Sequence, residues 1–179
     1  MMKIILSSNS PRRKELLSEL DVNFEVRVIE GIDESYPENM PTEKVPQYIA
    51  CEKAGAYMVA KGEVLLTADT VVVLDNDIMG KPHNEHEAMQ MLRRLSGKTH
   101  QVITGVCLTT TERQVTFSDI TDVTFAELTD DEIKFYVEKY RPLDKAGAYG
   151  IQEWIGLAGV TAIKGSYFNV VGLPVHRVY

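Results

Sequence analysis

Residues 64–74 read VLLTADTVVVL, a run of aliphatic and β-branched side chains suited to an inner strand, with an aspartate at its centre. Burying an unpaired carboxylate costs several kcal/mol, so Asp69 is expected to meet cations, bind a metal or open onto a cleft. The alternative is a strand broken between Thr67 and Val71, with the aspartate capping a neighbouring loop. Upstream, residues 3–7 read as a short strand. Ser10 and Pro11 mark a helix start, with serine as the cap and proline in the first turn, and that helix runs to about residue 20. Residues 24–29 alternate as a second strand, and 31–41 (GIDESYPENMP) form an acidic, turn-rich loop. Thr42 then caps a long helix with Val45, Ile49, Ala56, Val59 and Ala60 on its apolar face and Gly62 at its end.

Downstream, Asn84 caps a helix over 85–95 that stops at Gly97. Residues 101–110 and 115–126 read as an antiparallel pair. Thr129 and Glu132 form a capping box for a helix whose inner face is Ile133, Tyr136, Val137 and Tyr140, and the tail from residue 158 is strand-like with glycine turns. Strands and helices intersperse without strict alternation. The prediction is therefore an α/β fold with a mixed sheet flanked by helices.

The 179 residues suit a single domain over 1–179, and 44% hydrophobic with 25% charged residues excludes a disordered or fibrous chain. Apolar runs fall well short of the ~20 residues of a membrane span, and the N-terminus has no signal-peptide pattern, so a cytoplasmic protein without membrane partners is expected. A net charge of -7 argues against broad nucleic-acid binding, which needs a basic surface. Cys51 and Cys107 lack metal or redox spacing and read as small core residues. Neither the GxGxxG nor the GxxxxGK[ST] phosphate signature occurs.

The cations are few and oddly placed. Residues 7–13 (SSNSPRR) join a strand to a helix start, where backbone N–H groups and the helix dipole attract anions; Ser8 lies in this turn. Arg12 and Arg13 add guanidinium groups, and Arg13 shares a helix face with Leu16 and Leu17. A solvated basic turn is the competing reading. Lys53 follows Ile49 on the apolar side of the long helix, although its stem can snorkel outward. Lys81 sits in a Gly-Lys-Pro loop, and Lys145 lies in DKAGAYGIQ, whose small residues admit close ligand approach.

Cations around one or two carboxylates suit cleavage of a phosphoanhydride with help from a divalent metal. Asp69 would be the working carboxylate and Glu34, beside Asp33, a second acid for the metal, unless the acidic loop is merely solvated. His83 and His86, with Glu85 and Glu87 nearby, raise a zinc site, but two histidines at a helix start also suit capping or surface roles.

SSNSPRRKELL, ADTVVVL followed by GKP, MLRRLSGKTHQVITGV, and DKAGAYGIQ with GSYFNVVGLPV together resemble the Maf family of nucleoside triphosphate pyrophosphatases, in the family's order and over nearly the whole chain. The resemblance implies a fold related to the inosine triphosphate pyrophosphatases, with an elongated mixed sheet and two lobes around a cleft, often as a homodimer. It implies hydrolysis between the α and β phosphates with magnesium or manganese. By the same resemblance Asp69 is the proton acceptor, and Arg13, Lys53 and Lys81 serve the phosphates. Arg12, Thr70 and Gln152 occupy the family's three substrate-sorting positions. Their combination resembles the subgroup acting on dTTP, UTP and modified pyrimidine triphosphates. Gln152 offers a donor and an acceptor suited to a uracil or thymine edge. A nucleotide-binding regulator of cell division or septum formation is the alternative role associated with the family. Family members usually continue past GLPV into a further helix, whereas this sequence ends at Tyr179; no candidate catalytic position lies in that stretch.

Overall fold

The computed structural model describes residues 2–179. A seven-stranded mixed sheet has the order β2-β1-β3-β5-β6-β7, with β4 paired to β3. The strands are β1 (Lys3–Leu6), β2 (Phe24–Val26), β3 (Glu63–Leu74), β4 (Asp77–Met79), β5 (Thr99–Thr109), β6 (Gln114–Phe125) and β7 (Val160–Lys164). Strand β1 runs parallel to β2 and β3, whereas β3–β4 and β6–β7 are antiparallel. The expected antiparallel β5–β6 pair is present: Thr99 meets Thr124 at one end through their hydroxyls, and Gln114 donates to Thr109 at the other.

The helices are α1 (Pro11–Glu19), α2 (Val45–Gly55), α3 (Glu85–Leu95), α4 (Asp130–Tyr140), α5 (Trp154–Gly159), α6 (Tyr167–Val171) and α7 (Val175–Val178). None of them is long and apolar enough to cross a membrane. The starts of α1, α3 and α4 follow the local chemistry. Ser10 Oγ accepts from Arg13 N, Asn84 Oδ1 from Glu87 N, and Thr129 with Glu132 closes a full capping box.

Three expectations about the helices and the tail are corrected. Thr42 opens a separate 3-10 turn, Thr42–Lys44, and does not cap the long helix, which begins at Val45 with Lys44 at its N-cap and no side-chain cap. Helix α2 ends at Gly55, not Gly62, because Tyr57 turns into the core beside Ala54 and its hydroxyl accepts the Ile29 N–H. The last turn tightens, leaving Ala56 and Ala60 exposed. The tail is mostly helical, with β7 its only strand. Ser166 Oγ accepts the Asn169 N–H at the start of α6, and the buried Asn169 amide donates to Val102 O and Thr121 Oγ1, anchorage that periodicity does not reveal.

The chain divides into two compact units, each built from separate segments. The first comprises residues 2–70, 104–119 and 172–179, with a core of Ile5, Ala50, Ala54, Tyr57, Leu65 and Cys107. The second comprises 71–103 and 120–171; its core centres on Leu92, Leu95, Val123, Ile133, Tyr136 and Ile155. Each fully buried Val, Leu or Ile among them contributes about 1.5–3 kcal/mol through burial. In this second core His100 bonds the Tyr149 hydroxyl at 2.6 Å, and burial pushes its pKa down to about 4, leaving the ring neutral.

Candidate active site

Strand β3 is buried from Leu65 to Ala68 and again from Val71 to Leu74; between them only Asp69 and Thr70 are partly open. Asp69 shares a strand face with Thr67, two residues earlier. The Thr67 hydroxyl donates to Ala50 O at 2.7 Å, which fixes α2 over this face. Lys53 lies one turn beyond Ala50, so its ammonium reaches Asp69 Oδ1 at 3.3 Å and Ala68 O at 3.2 Å. Glu34 Oε1 takes the same ammonium at 3.1 Å. Two carboxylates from distant segments thus converge on one cation. Neighbouring Asp33 is occupied otherwise, accepting the backbone N–H and hydroxyl of Ser35.

Burial raises the Asp69 pKa; Lys53 and Arg13 oppose that rise, and Glu34 adds to it. Arg13 reaches the adjacent position. Its Nε donates to Gly172 O at 2.8 Å, Nη2 to Thr70 Oγ1 at 3.0 Å, and Nη1 more weakly to Ser8 Oγ at 3.4 Å. Burial lowers its pKa with Asp69 opposing, but a guanidinium stays charged. The proximity of Arg12 also lowers it. Gly172 has φ +137, and a Cβ there would contact Arg13 Nε at 3.8 Å. Ser8, Arg13, Glu34, Lys53, Asp69 and Thr70 are therefore gathered in the first unit.

Lys81, Lys145 and Gln152 belong to the second unit. Gly80 O accepts the Gly147 N–H at 3.1 Å, so the Lys81 and Lys145 loops lie together. Lys145 is held at 2.9 Å from Asp144 and 3.7 Å from Glu153. Glu153 also accepts from the Tyr136 hydroxyl at 2.8 Å, and that hydroxyl accepts the Gly150 N–H at 3.0 Å. Gln152 is exposed on the turn so braced, as is Lys81 on its loop.

His83 lies on the surface bonded to Glu87. Among the described residues no group of three or more His, Cys, Asp or Glu side chains is placed to hold a metal, so the zinc reading finds no support. Glu34 and Asp69 do fit a hard cation of the magnesium type, which takes one or two carboxylates and completes its shell with phosphates and water.

The profile of the Maf-like protein family matches residues 3–179. The chain is a Maf-like protein. It is 63% identical over 179 residues to a protein of Phocaeicola vulgatus named dTTP/UTP pyrophosphatase, covering 99% of this chain and 93% of that protein. Proteins of the same name from Porphyromonas gingivalis and Flavobacterium psychrophilum are 54% and 50% identical, each over 99% of this chain and 91% of theirs. Among solved structures, a HAM1 protein from Coxiella burnetii is similar at a TM-score of 0.48 and 16% identity, over 88% of this chain and 92% of that one.

Sequence reading of this Maf-like chain missed the Gly172 carbonyl, Thr104 and the Tyr136–Glu153 brace. Gly172 lies 159 positions from the arginine it orients, and nothing local signals the pairing. Thr104 reads as one more strand residue, although its hydroxyl is 2.9 Å from that of Thr70. Glu153 carried a signal that was overlooked: a carboxylate directly after Gln152, preceding an apolar turn.

Proposed function

We propose that the protein is a nucleoside triphosphate pyrophosphatase that hydrolyses dTTP, UTP and modified pyrimidine triphosphates to the monophosphate and pyrophosphate. In this role it clears unwanted nucleotides before polymerases use them. The observation that carries the reading is the Glu34–Lys53–Asp69 cluster with Arg13 beside it, in a chain so similar to proteins named for this activity. In this reading the matched region is one catalytic domain that acts in the cytoplasm and assembles as a homodimer.

Asp69 takes a proton from the attacking water as oxygen adds to phosphorus and the α–β P–O bond breaks, so that pyrophosphate leaves. Its raised pKa makes it a stronger base than an ordinary aspartate, and Lys53 holds it oriented. Arg13, Lys81 and Lys145 balance phosphate charge, with Ser8 donating from the helix-start turn. Arg12, Thr70 and Gln152 select the base. Glu34 and Asp69 would hold magnesium or manganese, which neutralises charge on the phosphates.

The deciding experiment is a panel of canonical and modified nucleoside triphosphates, scored for pyrophosphate against orthophosphate. Pyrophosphate release fastest with dTTP and UTP supports the reading; orthophosphate as the product, or purines as the best substrates, contradicts it. Two variants probe the cluster. Lys53→Met removes the charge that lowers the Asp69 pKa, so the acid limb of the kcat/KM profile should move to higher pH, with a loss of about a hundredfold at neutral pH. An unmoved limb would separate Lys53 from the base. Glu34→Gln should raise the magnesium concentration needed for half-maximal rate by about tenfold while leaving the rate at saturating metal within a few-fold. An unchanged metal titration would remove Glu34 from the metal site.

A further inference from the structure

Thr104 lies wholly buried on β5, where a hydroxyl needs a partner. Its oxygen is 2.9 Å from Thr70 Oγ1, and Thr70 Oγ1 in turn accepts from Arg13 Nη2 at 3.0 Å. The Thr70 hydroxyl has one proton, and the guanidinium occupies a lone pair. Among the described residues, Thr104 Oγ1 and, more distantly, Gly172 O at 3.5 Å are acceptors in range for that proton. If the proton goes to Thr104, Thr70 presents only acceptor capacity to a ligand. If Thr104 donates instead, the Thr70 proton is free to turn toward one.

Thr104 is held firmly in place. A Cβ on the next residue, Gly105, would lie 2.2 Å from Gln47 N, so β5 runs hard against the start of α2. The Gln47 side chain bonds Thr116 and Ser118 on β6, limiting any slide. We infer that Thr104 is a positioning residue for nucleotide discrimination, setting through the Thr70 hydroxyl what the substrate meets beside Arg13. The inference rests on the pyrimidine triphosphate reading above and deepens it.

The test measures kcat/KM of pyrophosphate release with UTP and with GTP, together with thermal midpoints, for the wild type, Thr70→Val, Thr104→Val, Thr104→Ser and the double valine variant. Thr104→Val should lower the UTP-to-GTP ratio about tenfold, Thr104→Ser should restore it, and Thr104→Val should change the ratio no further in the Thr70→Val background. General loss of stability affects both nucleotides alike and does not move that ratio. If Thr104→Val fails to fold, Thr104→Ala against Thr104→Ser makes the same comparison. A Thr104→Val ratio within twofold of wild type, or single effects that multiply in the double variant, overturns the inference and leaves the pyrophosphatase reading intact. A wild-type protein that releases no pyrophosphate from any nucleotide overturns that reading itself, and the inference falls with it.

Discussion

Asp69→Asn is expected to cut pyrophosphate release from dTTP by about a thousandfold while the protein stays folded. The amide keeps the shape of the carboxylate but cannot accept the proton of water. Lys53 retains Glu34 as an ion partner at 3.1 Å, so the loss does not leave a stranded ammonium. The effect on stability should have the opposite sense to the effect on activity. Burial raises the Asp69 pKa in the folded state above its unfolded value, so the native protein binds this proton more tightly than the unfolded chain does. The stabilising contribution of that proton is complete below the unfolded pKa and is lost as pH rises through the folded one. At neutral pH the ionised carboxylate is therefore a net liability to the fold, and an uncharged asparagine removes it. The thermal midpoint at neutral pH should be unchanged or raised, the difference shrinking toward zero in acid. A variant turning over dTTP within threefold of wild type would exclude Asp69 as the proton acceptor. A folded variant with a sharply lower midpoint would show that the carboxylate was serving structure first.

Gly105→Ala should be the most damaging single methyl group in the first unit. The added Cβ would lie 2.2 Å from Gln47 N, 2.3 Å from Pro46 C and 2.4 Å from Gln47 Cα. All three are backbone atoms, so no rotamer change relieves the overlap and the start of α2 must move. We expect a loss of about 3 kcal/mol or more, read as a fall in thermal midpoint of about 6–12 °C. Activity should fall further than stability explains, because α2 carries Lys53 and its displacement pulls the ammonium from Asp69. Gly55→Ala supplies the control: it ends the same helix with nothing within 4 Å of the added carbon and no positive φ. It should be neutral or stabilising by up to about 1 kcal/mol. Equal midpoints for the two variants would mean that the contact between β5 and α2 is looser than the geometry implies.

The legible parts of the site were those where one residue type contradicts its local pattern. Asp69 in an aliphatic strand, Lys53 on the apolar side of a helix and Arg13 on an inward face each announce a cation–anion cluster, since burying any of them alone costs too much. Glu34 was legible only as one acid among several. What separates it from Asp33 is the Ser35 turn, which takes the Asp33 carboxylate. The errors in reading the fold share a cause. Alternation and glycine content made the tail resemble strands, but the Asn169 amide and the Ser166 cap commit residues 167–171 to a helix through contacts as distant as Val102.

Local chemistry alone therefore determined the capped starts of α1, α3 and α4, the mixed α/β class and the presence of a buried carboxylate seeking cations, because capping, periodicity and desolvation act over a few residues. Which acid answers Lys53, which carbonyl aims Arg13 and which hydroxyl faces Thr70 were decided only by the tertiary structure. Those partners are separated by between 19 and 159 positions along the chain, and a hydrogen bond depends on where the packed backbone brings two atoms, not on the residues flanking either one.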